Sequence, residues 1–247
     1  MIAPEVSRRH LHAQLVVWIV YVGIPVIFLT SLTVIGVRSN PVRWMPVLIP
    51  LGAFAAGWYL RGQWRYRVQT WSPIGAVMGG LTGFFTALYT ANDPLYFLLG
   101  GAVGAFAGYL VGRHGERLLL HPLDVGLAET PYQVILRLRG IPRVRVAIDD
   151  TAIQLMIRVR TTNGRKTSYT EESVDVPLEE LAGASVRYLS GSEDLVYPIW
   201  SDQPPVASPG PALVVQTSAD EWILPHDDAV VLGQIIDRRI ARLRSTQ

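Results

Sequence analysis

The sequence predicts an all-α transmembrane bundle of about four helices followed by a β-rich α+β soluble domain. Three observations predict it. Between Ala13 and Gly112 the charged side chains are Arg38, Arg43, Arg61, Arg65, Arg67 and Asp93, and no others. From Tyr132 onward, apolar and polar residues alternate in short runs bounded by turn residues. From Asp227 the apolar residues return at helical spacing. Charged residues make up 17% of the chain, against about a quarter in soluble domains, and the deficit falls in the first half.

Spanning a bilayer takes about 20 apolar residues in a helix, because lipid offers no hydrogen bonds to the backbone. Four stretches meet or approach that length, near 13–37, 44–60, 73–91 and 94–112. The first carries no charge, is too long for a secretory h-region and lacks an A-x-A cleavage site, so it reads as a retained helix. The second carries Pro46 and Pro50, which predict a kink or an interfacial start. Only Asn92 and Asp93 separate the last two, which therefore form a tight antiparallel hairpin. With the N-terminus inside, the inner flanks hold Arg8, Arg9, Arg61, Arg65, Arg67, Arg113 and Arg117, and the outer loops hold Arg38 and Arg43. That seven-to-two bias predicts both termini in the cytosol and a multi-pass protein of the cytoplasmic membrane. Trp18, Tyr21, Trp44, Trp58, Tyr59, Trp64, Trp71 and Tyr96 sit mostly near span ends, as interfacial aromatics do.

Glycine is patterned in the last two spans. Gly75, Gly79 and Gly83 recur every four residues on one, and Gly100, Gly104, Gly108 and Gly112 on the other. Each set lines one helix face, where the missing Cβ allows backbones to approach closely. The faces can serve the hairpin itself or a homo-oligomer. No ionisable group lies mid-span, and Thr82, Thr86 and Gln14 are weak substitutes, which disfavours a pump or coupled transporter.

Residues 113–130 leave the bilayer through Arg113, His114, Glu116 and Arg117. Leu118, Leu119 and Leu120 extend the helix and Pro122 ends it, so 122–131 reads as a linker between a membrane domain (1–121) and a soluble domain (132–247). His114 and His121 share a helix face but lack further ligands, so no metal is expected.

In the soluble half Val134, Leu136 and Leu138, then Val144, Val146 and Ile148, then Leu155, Ile157 and Val159 occupy alternate positions, the signature of strands with one buried face. Asn163–Gly164 marks a hairpin. Val174 and Val176, and then Val186 with Tyr188–Leu189, mark further strands; 190–211 reads as a long loop; and 212–216 with 221–224 reads as a last hairpin. Asp227 or Asp228 is a natural N-cap for a helix whose apolar face is Val231, Leu232, Ile235, Ile236, Ile240 and Leu243. Arg238, Arg239, Arg242 and Arg244 fall near its C-terminus, where the helix dipole favours cations.

Three segments together resemble a pleckstrin-homology-like barrel: VRVAIDDTAIQLMIRV (144–159) as an opening hairpin, VDVPLEELAGASVRYL (174–189) as a strand, polar step and strand, and GPALVVQTSADEWILPHDDAVVLGQIIDRRI (210–240) as the final hairpin and capping helix. The chain is thus similar to bacterial multi-pass membrane proteins ending in such a domain. Of the 22 basic residues only Lys166 is a lysine, an arginine bias common in GC-rich genomes such as those of actinobacteria. The resemblance implies protein or lipid binding rather than catalysis.

The chemistry-bearing pattern is basic. Arg137 with Arg139, Arg143 with Arg145, and Arg158 with Arg160 are each two apart, so each pair falls on one strand face, opposite the apolar residues. Arg165 and Lys166 lie at the adjacent turn. Only Asp149 and Asp150 offset these eight, whereas 167–247 holds thirteen acids and five bases, so the domain is electrically polarised. Such a face suits anionic lipid or an acidic protein; it lacks interleaved aromatics, so no nucleic acid is expected. The absence of cysteine excludes disulfides, Cys-ligated metals and cysteine nucleophiles. There is no H-E-x-x-H, P-loop or G-x-S-x-G, and the acidic pairs Glu171–Glu172 and Glu179–Glu180 are adjacent and point apart, so neither catalysis nor a cofactor is expected. Two functions follow: a non-enzymatic, membrane-anchored adaptor or scaffold with lipid, membrane-protein or cytosolic-protein partners, or an oligomeric pore or transport-complex subunit built on the glycine faces.

Overall fold

The computed structural model describes residues 4–39, 45–90, 94–163, 166–191, 195, 208–217 and 220–246. The chain forms two compact units, one up to Pro122 and one from Leu123 onward.

The first unit is helical. α1 (Pro4–Trp18) runs through a π-helical turn, Ile19–Gly23, into α2 (Ile24–Ser39). Pro25 accounts for the turn: it has no N–H for the Tyr21 carbonyl one turn back, and the Ile24 N–H donates instead to the Ile19 carbonyl. α3 (Met45–Trp64) continues through Pro50, while Pro46 falls in its first turn, where a missing N–H costs nothing. α4 (Trp71–Thr90) and α5 (Pro94–Leu120) are the hairpin pair, and α5 includes Leu118–Leu120 as expected. Two helices among the described residues are long and apolar enough to cross a membrane, Arg8–Ser31 and Pro94–Leu120.

The second unit is strand-rich. β1 (Val134–Leu138), β2 (Ile141–Ile148), β3 (Ala152–Asn163) and β4 (Lys166–Pro177) form an antiparallel sheet in sequence order. β5 (Gly183–Leu189), β6 (Gly210–Gln216) and β7 (Glu221–Pro225) form a second antiparallel sheet, and α6 (Ala229–Thr246) follows. The expected strands at 134–138, 144–148, 155–159, 174–176 and 186–189, the last hairpin and the final helix all lie within these elements. Asn163 pairs with Lys166 at the end of the β3–β4 hairpin; Gly164 lies outside the described residues, as does most of the loop expected at 190–211.

The core is assembled by alternation. Val134, Leu136, Val144, Val146, Ile148, Ile153, Leu155 and Ile157 are buried from the first sheet, and Leu213, Val215, Trp222 and Leu224 from the second. Leu232, Ile235, Ile236 and Ile240 are the buried stripe of α6. Residues 122–131 differ from the linker expected of them. From Leu123 they belong to the second unit: Leu127, Ala128 and Thr130 are buried, and Val125–Glu129 forms a 3-10 turn packed on α6. The physical reason is Arg239 of α6, which is fully buried and bonds to this segment's carbonyls.

Candidate functional site

The outer face of the first sheet carries the arginines. Alternation buries the valines, isoleucines and leucines and turns Arg137, Arg143, Arg145 and Arg158 outward, where all four are exposed. The register brings them together. Arg137 stands directly opposite Arg145, Arg145 opposite Met156, and the Val144–Ile157 pair sets Arg143 beside Arg158. Directly opposite Cβ atoms lie about 5 Å apart, close enough for like charges to repel. Among the described residues, Arg137, Arg143 and Arg145 have no ion pair or hydrogen bond to offset it. The acids of this face lie toward β4, where Glu171 is opposite Arg158 and Asp175 opposite Gln154.

Arg139 is a correction to the expected face. The register of β1 shifts between Arg137 and Leu138, and Arg139–Gly140 makes the two-residue turn into β2, with Gly140 at φ +77°. Arg139 therefore leaves the alternation. Its guanidinium donates to Asp227 at 2.5 Å and to the Ser208 and Pro211 carbonyls at 3.3 and 3.1 Å, lying over the Cα of Gly210, where a Cβ would collide with it. This also narrows the expected capping pair to Asp228. Asp227 is taken by Arg139, and Asp228 is the residue before α6, its carbonyl accepting from the Leu232 N–H. Arg160 lies in β3 opposite Tyr169 and Lys166 in β4 opposite Asn163. Arg165 and the side chains of Arg160 and Lys166 lie outside the described residues.

Arg239 was expected to serve the end of α6 and is instead fully buried. Its guanidinium donates to the carbonyls of Ile148, Leu127, Thr130 and Tyr132 at 3.0, 3.2, 3.3 and 2.8 Å. Burial pulls its pKa below the ordinary arginine value; Asp150 and Asp149 oppose that shift and Arg242 adds to it. The planar fork matches several carbonyls at once, which an ammonium cannot do. Around it Arg242 pairs with Asp150 at 2.9 Å and Arg238 with Glu129 at 3.9 Å. The signal was present in sequence: Arg239 is four residues after Ile235 and three after Ile236, on the apolar stripe itself.

In the first unit the glycine faces meet each other. A Cβ on Gly75 would strike the Gly108 backbone, one on Gly79 that of Gly104, one on Gly83 that of Gly100, and one on Gly112 that of Trp71. Both stripes are used within the α4–α5 hairpin. Elsewhere the Arg61 guanidinium lies 3.8 Å from the Trp18 ring centroid, with Trp58 edge-on to Trp18, and Tyr21 shares a 3.0 Å hydrogen bond with Thr70. The chain matches no protein-family model and no curated protein.

Proposed function

We infer that the protein is a non-enzymatic, membrane-anchored adaptor of the cytoplasmic membrane. Its four long helical segments, α1–α2, α3, α4 and α5, are read as spans, and its pleckstrin-homology-like second unit as cytosolic. Seven strands in a four-plus-three arrangement followed by one helix support the barrel reading. The arginine bias of the flanks supports the orientation. One observation carries the function: like charges are held directly opposite each other on an exposed sheet face, Arg137 against Arg145, with Arg143 and Arg158 alongside. An anionic surface converts that repulsion into attraction, at roughly 1 kcal/mol per arginine near an anionic leaflet. The first unit is covalently continuous with this domain, so the surface nearest at hand is the membrane that anchors it.

The test exploits the absence of cysteine. A Met156→Cys variant, flanked by Arg145, is reconstituted as the full chain in vesicles and labelled with a water-soluble maleimide. Labelling is expected to be several-fold slower in anionic than in zwitterionic vesicles. High salt, or Arg143→Glu, Arg145→Glu and Arg158→Glu together, should remove the difference. Equal rates in both lipids reject the lipid partner. The pore reading draws no support from the glycine stripes, since each stripe is covered by the other.

A further inference from the structure

We propose that one face of α3, beside Trp18, holds an anionic phospholipid of the inner leaflet, its phosphate on Arg61 and Arg65 and an acyl chain along Trp58, Phe54 and Leu51. The proposal rests on the reading of the first unit as membrane-embedded, and not on the arginine face of the second unit. Leu51, Phe54, Trp58, Arg61 and Arg65 follow one another at steps of three or four residues, so they line one side of the helix. The Arg65 N–H donates to the Arg61 carbonyl at 3.2 Å, which carries the turn past Trp64. Along the axis the order is apolar, aromatic, cationic, the order of a lipid read from chain to headgroup. Arg61 stands three residues from the last residue of α3, about 4.5 Å along the axis. That is the headgroup end of the span.

The charge on this face identifies the occupant. Among the described residues the Arg61 side chain makes no ion pair and no hydrogen bond, and its Nε is buried without a partner. Its neighbours are ring faces, Trp18 at 3.8 Å and Trp58 at 5.7 Å. The Arg65 guanidinium lies 4.4 Å from the Tyr66 ring centroid and also has no ion pair. A ring attracts a cation but offers its in-plane N–H groups no acceptor, whereas phosphate oxygens match the planar fork. The site is held in place. The Gly57 backbone fits against the Tyr21 carbonyl and sets α3 beside the π-helical turn that follows Trp18. Trp18 and Trp58 are 42% and 54% exposed, so the stacked guanidinium sits at a surface open to lipid. A zwitterionic headgroup would bring its own cation against two arginines that lack acids, which selects an anionic lipid. The apolar half of the face, with Leu51 and Trp58 exposed, selects a lipid over a free phosphate ester.

The experiment places the full chain in nanodiscs of phosphatidylglycerol and phosphatidylcholine in equal parts, transfers it to detergent and weighs it by native mass spectrometry. One phosphatidylglycerol per chain should stay bound. Arg61→Gln should lower its occupancy by about fivefold or more. Trp18→Leu, which removes the ring that positions the guanidinium, should do the same, and Trp18→Phe should restore most of it. Arg113→Gln, at an exposed arginine of the same inner flank on α5, should change nothing, nor should Arg143→Glu with Arg145→Glu. Equal retention of phosphatidylcholine overturns the proposal, as does an Arg113→Gln loss matching that of Arg61→Gln, which would mean diffuse attraction. Displacement by excess glycerol phosphate would assign the arginines to a free phosphate ester and overturn it too. A chain that enters nanodiscs and retains no lipid defeats this site alone; a chain that does not enter them defeats the membrane reading with it.

Discussion

Two arginines show what position does to one chemistry. Arg145 and Arg239 are the same side chain, yet one is exposed opposite Arg137 and the other is enclosed by four carbonyls. Leaving a buried carbonyl without a donor costs about 1–3 kcal/mol; the Leu127 carbonyl would keep the Thr130 N–H and hydroxyl, so the loss falls on the Ile148, Thr130 and Tyr132 carbonyls. Arg239→Met is therefore expected to destabilise the second unit by about 3 kcal/mol or more, read as a lowered urea midpoint with faster amide exchange in 124–132 and β2. Arg239→Lys should recover little of this, because a compact ammonium cannot serve carbonyls spread over that fork. Wild-type stability in Arg239→Met would mean that the segment 123–132 is held by its apolar contacts alone. Arg139→Ala should be milder, since its partner Asp227 is largely exposed and can turn to water. The alternation of arginines was legible; the shift at Arg137/Leu138 that removes Arg139 from the face was not, because a bulge depends on the partner strand.

At the scale of elements, the α4–α5 hairpin is the best specified part of the chain. Its stripes were legible because a four-residue period maps onto one helix face. Which partner covers them was left open between the hairpin and a second copy. In the structure the Gly79 and Gly104 backbones come within reach of each other, so a methyl on either would have to push the helices apart. Gly79→Ala and Gly104→Ala are expected to destabilise the hairpin by about 1–3 kcal/mol, as overpacking does, measured by reversible unfolding in mixed micelles. Gly52→Ala is the control. Nothing lies within 4 Å of its added Cβ, so it should be neutral or slightly stabilising through helix propensity. A Gly104→Ala protein as stable as the Gly52→Ala protein would refute the close approach. The π-helical turn belongs to the same scale. In sequence the kink was expected at Pro46 and Pro50 and not at Pro25, and the fit of Gly57 of α3 against the Tyr21 carbonyl needed the folded neighbour to be seen.

For the whole molecule, the expectation concerns partition and sidedness. The full chain should remain with membranes through alkaline carbonate extraction, and a C-terminal tag should be unreachable by protease from outside intact cells. Extraction as a soluble species would remove the membrane reading; external cleavage would reverse the orientation. The sequence by itself determined the division into an apolar helical half and a strand-rich half, the strand positions and the final amphipathic helix. Those depend on composition and on periods of two and three-to-four residues, which are written locally along the chain. Only the tertiary structure decided which glycine face meets which, that Arg139 and Arg239 are structural, and that 123–131 is folded rather than linking. Each of these is a contact between distant parts of the chain, as when Arg239 reaches Ile148 and Leu127 across 91 and 112 residues. Such pairings are chosen by the joint burial of many groups at once, and no local period encodes them.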